Sequence, residues 1–167
     1  MLSPDYYYES VFLIPYKDLW QQKIRGLIFD IDNTLTPYAN KYPPTKIIAL
    51  IRRLEKMGFS ICLLTNNTPK RLKHFNERLA LDGIANAIKP LPKGVKQAMA
   101  KMGTKPEHTV IIGDQLLSDI WAGKNAKVTT ILVKPITDKD FITVSIKRLI
   151  ERPLLRRYFA KMGLHGD

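Results

Sequence analysis

The chain has 167 residues, 45% hydrophobic and 25% charged, which fits one domain with a real core. Its 27 basic and 15 acidic residues leave a formal charge of +12, a field that favours anionic partners (phosphorylated small molecules, anionic lipid or nucleic acid) and says nothing of fold. The single cysteine, Cys62, excludes an intrachain disulfide and points to a reducing compartment. No run approaches the roughly 18 unbroken apolar residues of a spanning helix. The N-terminus lacks the basic and long apolar stretch of a secretory signal. The expectation is a cytoplasmic protein with peripheral membrane contact at most.

In chain order, Ile24 to Phe29 reads as the first strand. Ile47, Ile48, Ile51, Leu54 and Met57 follow at helical spacing, with Gly58 as a stop. Phe59 to Leu64 is the second strand. Thr68-Pro69 then supplies an N-cap and a first-turn proline for a helix carrying Leu72, Phe75 and Leu79, with Gly83 past its end. Ile84 to Ile88 reads as a third strand. Val95, Ala98, Met99 and Met102 mark the next helix, ended by Gly103. Thr109 to Ile112 is a fourth strand, a short helix carries Leu116, Leu117, Ile120 and Trp121, and Val128 to Val133 is the fifth strand. Ile142, Ile146, Leu149 and Ile150 suggest a closing helix. This alternation predicts one α/β domain over residues 1–167 with a mainly parallel, five-stranded sheet covered on both faces. The motif-bearing core spans about 24–135, and basic, aromatic flanks occupy 1–23 and 136–167.

Polar residues follow each of the first four strands: Asp30-x-Asp32, Thr65-Asn66-Asn67, Lys89-Pro90, and Gly113-Asp114 with Asp119 beyond. In an open α/β sheet the carboxyl ends of the strands form the ligand-binding edge, so all four groups converge there. A cluster of Asp oxygens is a hard-ligand site suited to Mg²⁺ and phosphate. One Asp can attack phosphorus, a second can protonate the leaving oxygen and then activate water, and a Lys can neutralise the charge of both partners. Taken singly, each group also has an ordinary reading as a turn or helix cap. Cys62, Trp121 and the methionines read as core. His74, His108 and His165 have no partners at metal-ligand spacing and read as surface.

DIDNTLT, LLTNN, KP and GDQLLSD, in this order and each after a strand, resemble the four motifs of the haloacid dehalogenase (HAD) superfamily of phosphatases. The chain more closely resembles the YqeG-type phosphatases of subfamily IIIA, which are similar to the fungal mitochondrial phosphatidylglycerophosphate phosphatase. The resemblance implies a three-layer Rossmann-like fold and Mg²⁺-dependent phosphomonoester hydrolysis through an aspartyl-phosphate. It implies Asp30 as nucleophile and metal ligand, Asp32 as general acid/base with its carbonyl on the metal, and Asp114 as a further metal ligand. Thr65 and the Asn66 amide would hold the phosphoryl group. Lys89 would be the third-motif lysine, with Lys93 as its competitor, and Asp119 would support Asp114 or ligate through water.

The superfamily's cap domains insert between Asp32 and Phe59 or between Thr65 and Lys89, and both intervals are short, so a capless, open site is expected. The implied substrate is phosphatidylglycerophosphate, an anionic phospholipid. The alternatives are a soluble sugar phosphate or nucleotide, or a basic scaffold that binds RNA or protein, and no RNA-recognition signature supports that last reading. Residues 6–20 and 141–163 interleave aromatic with basic residues, a pattern that suits docking on an anionic bilayer or a homo-oligomer face.

Overall fold

The computed structural model describes residues 2–137 and 142–163. His165, and the side chains of Lys147 and Arg148, lie outside the described residues. The sheet is fully parallel, with strands β1 (Tyr6–Tyr8), β2 (Gly26–Phe29), β3 (Ser60–Leu64), β4 (Asp82–Ile84), β5 (Thr109–Gly113) and β6 (Thr129–Val133). Their spatial order is β1-β6-β5-β2-β3-β4. Between them run α1 (Tyr16–Gln21), α2 (Thr45–Lys56), α3 (Pro69–Asn76), α4 (Lys93–Met102) and α5 (Trp121–Asn125), with α6 (Ile142–Lys161) after β6.

Side-chain alternation along the central strands explains the layering. Leu27, Phe29, Leu63, Val110 and Ile112 face a core completed by α1, α2 and α3. Ile28, Cys62, Leu64 and Ile111 face the other side, where Val95 and Ala98 of α4 and Ala122 of α5 cover them. Leu27, Ile28 and Phe29 are fully buried, and such side chains contribute about 1.5–3 kcal/mol each. β2 pairs with both β3 and β5, with Ile28 opposite Cys62 and Ile111. Strand order reverses between β2 and β5, so the switch point of the sheet lies where Asp30 and Asp114 emerge.

The structure departs from the expected elements in four places. A sixth strand, β1, adds to the β6 edge, so part of the N-terminal flank belongs to the sheet. The third strand is Asp82–Ile84, and Gly83 lies inside it rather than after a helix. Residues 85–88 are not strand: Asn86 and Ile88 take positive φ (47° and 54°), and Ala87 and Asn86 donate to the carbonyls of Thr65 and Asn67. Trp121 and Met162 are exposed rather than core. In the C-terminal flank, Leu154 and Leu155 of α6 pack against Tyr7, Leu116, Ile120 and Leu132, and Phe159 meets the Tyr7 ring edge-on at 4.9 Å. Among the described side chains of that flank, Leu154, Leu155 and Phe159 are thus taken up in packing, while Arg152, Arg156, Arg157 and Lys161 stay exposed.

Candidate active site

Asp30 leaves the end of β2 with its N–H donating to Ile112 on β5 (2.9 Å), which holds the chain in the sheet until the first carboxylate. The next residues form a tight loop in which the N–H groups of Thr34, Leu35 and Thr36 converge on the Ile31 carbonyl. Asn33 stands at φ 64°, a left-handed position that Asn tolerates better than most residues. The loop brings the Thr34 hydroxyl to 3.2 Å from Asp30 Oδ2 and 3.1 Å from Asp114 Oδ1.

Lys89 reaches the same centre. Its buried ammonium donates to Asp30 Oδ1 (2.7 Å), Asp119 Oδ1 (2.6 Å) and the Leu64 carbonyl (3.0 Å), so three donors meet three acceptors. Burial opposes its charge, but Asp119 and Asp30 outweigh that and hold the ammonium above the ordinary lysine range. The Asn66 side chain fixes the Lys89 backbone, accepting from its N–H (2.7 Å) and donating to its carbonyl (3.2 Å). Lys93 is exposed at the start of α4, so Lys89, not Lys93, stands at Asp30.

Asp119 sits in a π-helical turn, Leu116–Ile120, with Oδ2 accepting from the Gln115 N–H (3.0 Å). Its seat depends on Gly113: a Cβ there would lie 2.3 Å from the Asp119 carboxyl carbon. Thr65 is buried at the end of β3, and its hydroxyl accepts from the Asn67 N–H (3.0 Å).

Asp30, Asp114 and Asp119 are all buried, and one carboxylate oxygen from each lies within 4.8 Å of the others. Lys89 pairs with Asp30 and Asp119, so one ammonium serves a cluster of three buried carboxyl groups. Burial, helped by Asp119 and Asp32, outweighs the pull of Lys89 and raises the Asp30 carboxyl to about 7. A divalent cation among hard oxygen ligands fits this cluster of carboxylate oxygens.

Asp32 is held differently. Arg71, in the first turn of α3, directs Nε (3.0 Å) and Nη2 (2.7 Å) to Asp32 Oδ1, and Asn67 Nδ2 donates to Oδ2 (3.2 Å). The third guanidinium nitrogen donates to the carbonyls of Asn40 (2.6 Å) and Lys41 (3.1 Å), tying the loop after β2 to α3. A cleft of about 620 Å³ opens over the group, lined by Asp30, Asp32, Thr65, Asn66 and Lys89 and also by Pro37, Tyr38, Gln115, Ser118 and Thr137. The intervals 31–59 and 65–89 hold only loops, α2, α3 and β4, so no separate cap covers it.

The sequence-predicted residues Asp30, Asp32, Thr65, Asn66, Lys89, Asp114 and Asp119 therefore share one strand edge. Sequence reasoning missed the contacts of Thr34, Asn67 and Arg71. Arg71 alone carried a signal: three residues past the Thr68 cap, it lies in the first turn of a helix that begins at the site edge.

A haloacid dehalogenase-like hydrolase family model matches residues 41–127, just over half of the chain. The chain is 32% identical over 152 residues to the probable phosphatase YqeG of Bacillus subtilis, spanning 91% of this chain and 88% of that protein. It is 25% identical over 160 residues to phosphatidylglycerophosphate phosphatase 1, chloroplastic/mitochondrial, of Arabidopsis thaliana, spanning 89% of this chain and 45% of that one. It likewise spans about half the length of several other curated relatives that it matches. Among solved structures, deoxy-D-mannose-octulosonate 8-phosphate phosphatase of Haemophilus influenzae shares the fold, with a TM-score of 0.57 and 19% identity over 69% of this chain and 70% of that one.

Proposed function

The chain belongs to the haloacid dehalogenase-like hydrolases and is a phosphatase of that family; on that premise we propose that it cleaves a phosphomonoester through an aspartyl-phosphate at Asp30, with Mg²⁺ as its metal and phosphatidylglycerophosphate as its substrate. The observation that carries the mechanism is the buried Asp30–Lys89–Asp119 chain beside Asp114.

An Asp30 carboxylate oxygen attacks phosphorus. The P–O bond to the alcohol breaks, and Asp32 gives its proton to the departing oxygen. Asp32 then takes a proton from water, the water oxygen attacks the phosphorus of the acyl phosphate, and free phosphate leaves Asp30 regenerated. Lys89 stabilises charge on Asp30 and on the transferring group, and the Thr65 hydroxyl with the Asn66 N–H orients the phosphoryl oxygens. Asp30, Asp114 and the Asp32 carbonyl would hold Mg²⁺, whose charge would favour the ionised form of Asp30 and offset the charge of the phosphoryl oxygens. Asp119 acts through Lys89 by fixing its ammonium.

The lipid substrate is favoured by likeness to phosphatidylglycerophosphate phosphatase 1 along most of the chain and by a cleft open enough for a headgroup whose acyl tails stay outside. A cytoplasmic enzyme in peripheral contact with a membrane suits such a substrate. The test is phosphate release with Mg²⁺ from phosphatidylglycerophosphate beside a panel of soluble sugar phosphates and nucleotides, with Asp30→Asn as control. Release from the lipid, abolished in the variant and by chelator, is the expected result. Release from soluble esters alone would keep the mechanism and reject the lipid.

A further inference from the structure

We propose that the strand edge bearing the site is itself the membrane-docking face, and that it seats the open cleft on an anionic lipid bilayer. The sheet is fully parallel, so every segment that follows a strand leaves from this one edge. Large apolar side chains exposed to between 39% and 65% stand there: Phe12 after β1, Tyr38 after β2, Ile88 and Leu91 after β4, Trp121 after β5 and Ile136 after β6. They bracket the cleft. The Ile136 N–H donates to the Asn33 carbonyl (3.0 Å), and Thr137 donates to the Asn33 side chain (2.8 Å), fixing that segment to the loop after Asp32. On the other side, Asn125 at the end of α5 donates to the Pro90 carbonyl (3.1 Å), joining the helix of Trp121 to the segment of Leu91.

The exposed charge on this edge is predominantly basic. Lys41, Lys70, Lys93 and Lys134 are exposed there, and Lys46 in the first turn of α2 lies 5.2 Å over the Phe12 ring. Among the described residues its one exposed acid is Glu9, which pairs with Lys134 at 3.4 Å; Asp32 is half-buried and held by Arg71. The other exposed acids stand elsewhere. Asp5 precedes β1, Glu55 and Glu77 end α2 and α3, Asp82 opens β4 and Glu107 precedes β5. Asp18 lies on α1, whose Tyr16 and Trp20 pack on Phe59 just before β3.

Apolar side chains set among lysines, without exposed unpaired carboxylates, match an anionic bilayer, where apolar groups enter the headgroup boundary and cations meet phosphate. A soluble partner would more usually present a groove or a continuous apolar patch. In this pose the cleft meets the headgroup phosphates directly, and a lipid could be processed with its acyl chains still in the membrane. The proposal deepens the lipid-phosphate reading and rests on it for the substrate, although not for the docking.

The test is co-sedimentation of the full chain with phosphatidylglycerol vesicles and with phosphatidylcholine vesicles, at low and high salt. The double variant Leu91→Asp/Ile136→Asp is compared with Arg156→Ala/Arg157→Ala on α6. Intact thermal unfolding and unchanged hydrolysis of a soluble ester establish that each variant is folded. The expected result is binding to the anionic vesicles only, weakened by salt, with partition reduced at least about tenfold in the edge variant and little changed in the α6 variant. Protein that stays in the supernatant at low salt, binding that survives the edge variant but is lost with the α6 pair, or preference for an RNA oligonucleotide over vesicles would each overturn it. Edge-dependent binding without release of lipid phosphate would uphold the docking face and reject the substrate reading.

Discussion

At the scale of single residues, the site divides into two ion pairs with different tasks. Arg71 holds one oxygen of Asp32 with two nitrogens and anchors itself on two backbone carbonyls, so it fixes the rotamer of the proposed acid/base without lining the cleft. Proton donation matters most when the leaving oxygen is a poor leaving group. Arg71→Met should therefore lower kcat about 10- to 100-fold on an alkyl phosphate, with KM little changed, and much less on p-nitrophenyl phosphate. Steady-state kinetics with both esters checks this, and an equal loss on the two would mean that Arg71 does not act through Asp32. Lys89 carries a heavier load, because removing it leaves Asp30 and Asp119 buried without their cation. Lys89→Met should abolish measurable turnover and destabilise the fold by about 3–5 kcal/mol, read from denaturant unfolding, since breaking a buried pair costs far more than an exposed one.

At the scale of elements, the edge of the sheet is tied down by one side chain. Asp5 Oδ2 accepts from the Thr130 N–H and hydroxyl, both at 2.8 Å, and Oδ1 takes Lys124, so the start of β1 is stapled to β6. Partial burial works against the Asp5 charge, but the bonds from Lys124 and Thr130 outweigh it and hold the carboxyl below 3.8. A depressed folded value stabilises the protein above the unfolded one and loses that contribution as pH falls through the folded value. Asp5→Asn should lower Tm by a few degrees at neutral pH, consistent with about 1 kcal/mol, and the gap to wild type should close below pH 4. Elements of this kind were the least legible in the sequence. Three tyrosines are too short a run to declare a strand, and β1 exists because Asp5 and the β6 edge recruit it. The stretch from Ile84 to Ile88 has strand composition, yet its backbone bonds go to Thr65 and Asn67, and that turn is what aims Lys89 inward. The motif positions were legible because carboxylates at the ends of buried strands have few other uses. The partners of Asp32 were not, because the direction of an arginine on a neighbouring helix depends on packing that periodicity does not encode. Gly113 belongs to the same class: Gly113→Ala places a methyl group into the Asp119 carboxylate and should cost about 1–3 kcal/mol while displacing the support of Lys89.

At the scale of the whole molecule, a strongly basic protein keeps a net negative centre. Its net charge of +12 draws anions toward it, while three buried carboxylates beside one lysine make a centre that a cation would stabilise. On the proposed mechanism the two fields act together on a phosphate ester, the outer one raising encounter and a metal in the inner one offsetting the charge of the anion. Metal binding at this cluster would then be a stability term. Saturating Mg²⁺ at about 100 times its Kd should add about 2.7 kcal/mol and raise Tm by roughly 5–10 °C, and chelator should reverse the rise. Asp114→Asn separates the parts, because it removes one buried charge and one ligand together. In chelator the variant should equal or exceed the wild type in Tm, since a carboxylate repelled by Asp30 and Asp119 is gone. In Mg²⁺ the order should invert, with the wild type rising and the variant remaining near its chelator value. Paired melting curves of the two proteins with and without Mg²⁺ decide the matter: crossing curves establish the cluster as the metal centre, whereas parallel shifts would place the cation elsewhere and leave the buried charge to Lys89 alone.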